Sequence, residues 1–282
     1  MLEFLTAVRD NTFLQYALLA GLLASVACGV VGTYVVVRRI TYIAGSISHS
    51  ILGGIGAAVY FQKVYGWQWL NPIYGAVAAA MAAAVIIGLV SMRARQREDT
   101  VIGAIWAVGM AVGVLFIAKT PGYTQDLMSY LFGNILMVTP EDLWLVAALD
   151  AVVVTVGLLF YNPLMAISFD EEFARARGLK VEAYYLMLLC LTALTVVLLV
   201  VVVGIVLVIA LLTLPVAVAG HFARRLWQMM ALAAVFTVLF TTAGLAVAYK
   251  PDLPAGATII VLAGAVYLVV AVGSRLLRPR RT

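Results

Sequence analysis

Residues 186–219 run for 34 positions without one charged side chain. As a single helix that run would be about 51 Å long, against a hydrocarbon core of about 30 Å. It therefore reads as two membrane spans, with the break placed near Gly204. Other uncharged runs approach or exceed the roughly 20 residues a helix needs to cross a bilayer. They are continuous rather than alternating, which argues for helices and against an antiparallel barrel. With 65% hydrophobic and 11% charged residues, an ordinary soluble protein is excluded. The start, MLEFLTAVRDNTFLQYALL, has no basic n-region and no small-residue cleavage site. The first span is accordingly expected to stay in the chain.

The expected spans are 14–37, 43 to about 61, 72–92, 101–118, 143–161, two within 186–219, 229–249 and 257–272. The charges fall between them with a strong bias. The loops after spans one, three, five and seven, together with the C-terminal tail, hold 14 of the 18 Lys and Arg residues; Arg9, Lys63, Lys119 and Lys250 are left for the other side. By the positive-inside rule the N-terminus lies outside and the C-terminus in the cytoplasm. That parity needs an odd number of spans, most simply nine, with eight as the alternative count. The fold class is all-α: a polytopic transmembrane helical bundle over residues 1–282, one domain without an internal repeat. Trp67 and Trp69 suit a membrane interface. Thr139 before Pro140, Glu141 and Asp142 predicts a helix start.

The stretch most able to carry chemistry is 43–57, IAGSISHSILGGIGA. Helical spacing puts Gly45, His49 and Gly53 on one face, with Ser46, Ser50 and Gly54 adjoining. Small residues let helix backbones approach. A titratable imidazole there faces a helix interface or a polar cavity, because facing lipid is costly. Either His49 lines a route through the membrane or it donates one hydrogen bond inside a packed bundle. Asp150 sits near the middle of span five. It supplies charge to such a route if it faces it, and is otherwise an acid hydrogen-bonded to a neighbouring helix. His221, beside Arg224 and Arg225, reads as interfacial, and Met110, Met128 and Met137 as packing. Cys28 and Cys190 lie inside apolar runs, form no CxxC pair and suggest no disulfide framework.

Several function classes are not supported. The net charge of +5 follows membrane topology and is no nucleic-acid signal. GxxxxGK[ST], HExxH and GxSxG are absent, as is any clustered metal-ligand spacing. No covalent cofactor is implied. The segment 169–185, FDEEFARARGLKVEAYY, has three acids ahead of two arginines, which matches the helix dipole, and Gly178 as a helix stop. It is either a solvated loop or a short helix that docks a cytoplasmic partner.

Taken together, these motifs resemble the permease subunits of the ABC-3 family, the membrane subunits of bacterial ABC importers for zinc, manganese and iron. The resemblance covers nearly the whole chain. It rests on Arg38-Arg39 ahead of the SHS segment, Asp99-Thr100-Val101-Ile102-Gly103, and Tyr130-Leu131-Phe132-Gly133-Asn134-Ile135-Leu136. Further pieces are Phe169-Asp170-Glu171-Glu172 with Ala174 and Gly178-Leu179, Leu214-Pro215, and Asp252-Leu253-Pro254-Ala255-Gly256. The resemblance implies a homodimer in the bacterial or archaeal inner membrane. Cytoplasmic ATPase subunits, which bind the ATP, would sit beneath it and an extracytoplasmic metal-binding protein above. It also implies that Phe169, Asp170, Glu171, Glu172, Ala174, Arg175, Gly178 and Leu179 form the segment that contacts the ATPase. In the family's second-span motif, G-D-x-x-[SA]-H, an aspartate and a histidine handle the metal. Here Ser48 and His49 match, but Gly45 stands where the aspartate is expected.

An Asp and a His four residues apart can share a divalent cation through oxygen and nitrogen. His49 alone offers one neutral nitrogen. Two copies converging at a dimer axis would give a two-nitrogen site that favours zinc over hard ions. The expected function is therefore an importer permease for a divalent transition metal, zinc first and manganese or iron next, working by alternating access. His49 would lie in the path and Asp150 would be a further candidate. A proton-coupled secondary transporter using His49 and Asp150 is one alternative. A permease for a metal chelate or vitamin is the other.

Overall fold

The computed structural model describes residues 2–93, 98–122, 135, 138–251 and 253–277, and all regular structure among them is helical. A short helix, α1 (Leu2–Asp10), precedes the first span, α2 (Thr12–Val37). Asn11 starts α2 by accepting the Phe13 N–H on its side chain. Then follow α3 (Thr41–Tyr65), α4 (Pro72–Arg93), α5 (Glu98–Lys119) and α6 (Pro140–Leu159). Two short helices, α7 (Tyr161–Phe169) and α8 (Glu171–Ala176), lead to α9 (Val181–Val203), α10 (Ile205–Phe222), α11 (Leu226–Tyr249) and α12 (Ala255–Leu277). Among the described residues, nine helices are long and apolar enough to cross a membrane. They are α2 to α6 and α9 to α12, matching the expected spans within a few residues.

Side-chain meetings fix the relative directions of these helices. Ala27 meets Asp150 and Tyr34 meets Gly157, so α2 and α6 run the same way. Gly32 meets Leu212, and Val36 packs with Val216 and Ala219, so α10 also runs with α2. Gly29 meets Met230 and Gly21 meets Thr241, so α11 runs against it. Since α6 and α10 run in the same sense, α9 between them must cross the other way. The charge-free run is thus two spans, and the joint is Gly204, with φ +80 and ψ 166. A left-handed φ falls to glycine because it lacks a Cβ. Val203 and Ile205 on either side are buried, at 2% and 0% exposure. Non-helical backbone at membrane depth is tolerated where protein covers it.

Helices α2 and α3 are buried over most of their length, whereas few residues of α5 and α12 are buried. Close approach explains the tight α3–α4 pair. A Cβ on Gly54 would lie 2.0 Å from the Gly75 carbonyl oxygen, so only glycine lets these backbones meet. The predicted start of α6 is a full capping box. The Thr139 hydroxyl accepts the Asp142 N–H at 3.2 Å, and the Asp142 carboxylate accepts the Thr139 N–H at 3.0 Å. This satisfies donors that a helix start leaves free. The 130–136 motif other than Ile135, and Asp252, Met128 and Met137, lie outside the described residues.

Candidate functional site

Helix α3 holds His49 against α5, and two serines set the register. The Ser46 hydroxyl donates to the Ile102 carbonyl at 2.8 Å, and that of Ser50 reaches the Ile105 carbonyl at 3.2 Å. Gly53 then meets Gly109, and Gly56 meets Gly113, so the two helices run parallel and in close contact. This register brings Trp106 onto His49. The two rings stack with centroids 4.5 Å apart and planes 17° from parallel. Tyr42 flanks the indole at 5.6 Å. His49 Nδ1 is buried and has no hydrogen-bond partner among the described residues. Buried polar atoms are nearly always paired, so an orphaned one marks either a cost or a function.

Gly45 lies one turn before His49. A Cβ there would stand 3.0 Å from Trp106 Cζ3 and 3.3 Å from Ile209 Cδ1. The space in front of Gly45 is therefore filled by the indole. Where the expected motif has a carboxylate, this chain has an aromatic ring lying flat on the imidazole. Trp106 does not stand out in the sequence. Its only signal there is its position, three residues after Gly103 in the motif that opens α5.

Asp150 lies elsewhere. It is 8% exposed on α6, and its Oδ1 accepts the Ala27 backbone N–H of α2 at 3.0 Å. The structure thus sets Asp150 on the α2–α6 contact and His49 on the α3–α5 contact. His221 is exposed at the end of α10, with Nδ1 2.9 Å from the Ala217 carbonyl oxygen. Cys28 and Cys190 are free thiols. Among the described residues, no group of three or more His, Cys, Asp or Glu side chains is placed to hold a metal ion. Among the described residues, His49 therefore belongs to no such group.

The segment 169–179 folds as a helix–turn–helix corner. Phe169 ends α7, and Asp170 caps α8 by accepting the Phe173 N–H at 2.9 Å. Glu171 and Glu172 sit in the first turn and Arg175 in the last, as the helix dipole favours. Gly178, at φ +78, ends the turn as expected: its N–H donates to the Arg175 carbonyl, and that of Leu179 donates to Ala174. Ala174 is fully buried, while Phe169 and Phe173 are 68% and 52% exposed. Arg175 pairs with Glu182 at 2.9 Å. From the end of α2, Arg38 donates to the Ile167 carbonyl and to Glu171. A cavity of about 730 Å³, lined in part by Arg38, Arg39, Asp99, Glu171, Arg175 and Glu182, opens beside this corner.

The model of the ABC 3 transport family matches residues 10–274. An uncharacterized membrane protein of Synechocystis is 42% identical, over 95% of this chain and 93% of its own length. The manganese transport system membrane protein MntC of Halalkalibacterium halodurans is 33% identical, over 94% and 88%. Among solved structures, PsaBC from Streptococcus pneumoniae in complex with Fab superimposes with a TM-score of 0.83. It is 29% identical and covers 95% of this chain and 94% of that one. The fold, the spacing of the motifs and a match over nearly all its length agree: this chain belongs to the ABC 3 transport family.

Proposed function

We propose that this chain is the membrane permease of an ATP-driven importer for a divalent transition metal, with zinc the first candidate. As a permease it is a transport subunit, and a separate cytoplasmic ATPase hydrolyses the ATP. The observation that carries the reading is His49: an imidazole whose Nδ1 has no partner among the described residues, held inside a membrane bundle of this family. Imidazole nitrogen without a carboxylate suits zinc better than hard ions. Two copies of the chain would bring two such rings to one path. An extracytoplasmic binding protein would deliver the metal, and the corner at 169–179 would meet the ATPase. The arginine-rich face lies in the cytoplasm.

Manganese is the second reading, supported by the relative named for manganese transport. A proton-driven transporter using His49 with Asp150 has less support, since the two side chains lie on different helix contacts. The test is uptake of radiolabelled zinc and manganese by liposomes holding the assembled complex. Uptake that needs internal ATP, survives a protonophore and favours zinc fits the reading. A preference for manganese would select the second reading. Uptake without ATP that collapses with the proton gradient would reject both, and transport of neither metal would point to a chelate or vitamin.

A further inference from the structure

We infer that Arg38 is the positioning residue that couples the ATPase-facing corner to the helix carrying His49; this rests on the coupling role proposed for 169–179. One guanidinium joins four elements. It extends from the end of α2, donates to the carbonyl of Ile167 in the last turn of α7, and pairs with Glu171 in the first turn of α8. Its carbon also lies 4.4 Å above the ring of Tyr185 on α9, within cation–π range. The last carbonyls of a helix lack partners of their own, so Arg38 caps α7 from across the bundle. The joint at Asp170, between α7 and α8, is thus clamped from both sides by one side chain. That side chain is only 11% exposed, against 52% for Glu171.

The other end of the connection is equally short. Arg39 has a left-handed φ of 63. Its N–H donates to the Val36 carbonyl and that of Ile40 donates to Val35, so a closed turn ends α2. Helix α3 begins at Thr41, and His49 follows two turns later. With no slack between Arg38 and α3, a displacement of α8 reaches the His49 helix through Arg38. Only a planar fork with two donor edges and a flat face can make all three contacts; an ammonium is a point charge on a flexible stem.

The test uses the whole complex with its ATPase and binding protein in liposomes, with zinc and manganese as probes. The readout is metal moved per ATP hydrolysed, which a merely structural residue would leave unchanged. Arg38→Lys keeps the charge, and Arg38→Met keeps much of the bulk. In both, assembled complexes are expected to hydrolyse ATP while metal moved per ATP falls about tenfold, within the usual range of coupling between sites. An unchanged ratio in both variants overturns the inference. So does loss of assembly in both, which would make Arg38 structural. The coupling reading is tested separately by Phe173→Ala: if that exposed ring can be removed without weakening ATPase binding, the reading fails whatever Arg38 does.

Discussion

Gly45→Asp restores the acid expected at that position, yet the structure predicts that it damages the protein. A Cβ at residue 45 already stands 3.0 Å from Trp106 Cζ3 and 3.3 Å from Ile209 Cδ1. Both neighbours must give by a few tenths of an ångström even to a methyl group, and overpacking of roughly 1–3 kcal/mol is partly offset for alanine by about 1 kcal/mol of helix propensity. A carboxylate adds three more heavy atoms and a charge inside a membrane helix, about 3 kcal/mol more. The total, roughly 4–6 kcal/mol, approaches the whole stability of many proteins. Gly45→Ala should therefore change the unfolding temperature in detergent only slightly, and Gly45→Asp should abolish monodisperse protein. Gly45→Asp with Trp106→Ala removes the ring that fills the space. It should recover folding and, with oxygen and nitrogen four residues apart, gain affinity for manganese relative to zinc. A Gly45→Asp protein as stable as wild type, with Trp106 unchanged, would refute the reasoning.

Gly204→Ala places a Cβ at φ +80 in a buried joint, and should cost about 1–3 kcal/mol, read as a lower unfolding temperature. Asp150→Asn keeps an oxygen for the Ala27 N–H and should cost less than about 1 kcal/mol. Asp150→Leu removes that side-chain acceptor, while the Ala27 N–H keeps its place in the ladder of α2, and should cost about 0.5–1.5 kcal/mol. Equal stability of the two Asp150 variants would show that the hydrogen bond contributes little.

The spans were legible because apolar length and arginine placement are properties of the chain itself. Parity, more than any turn signal, required the break in 186–219, and the directions of α6 and α10 agree with it. Local chemistry also sufficed for Thr139 and Gly178, whose caps involve neighbours three to five residues away. What the sequence hides is non-local. Helix α7 follows the expected fifth span and was not marked as an element, yet Leu164 and Ile167 are buried at 0% and 1% exposure. Trp106 reaches His49 only through the α3–α5 register, which two serine hydrogen bonds set across more than fifty residues. Arg38 meets partners 129 and 133 residues away. The missing acid at 45 was visible as an absence; its reason, an indole in the same space, required the fold. Helix α1, before the first span, was not marked by any apolar run.

If His49 handles the transported metal, its removal stops transport. The most direct test is zinc uptake by the assembled complex with His49→Ala, beside wild type of equal expression and assembly. ATP hydrolysis should persist while zinc uptake collapses, and His49→Gln, which offers only amide groups, should not restore it. Zinc uptake at the wild-type rate in an intact His49→Ala complex would take His49 out of the path and leave the ring on Trp106 as packing alone.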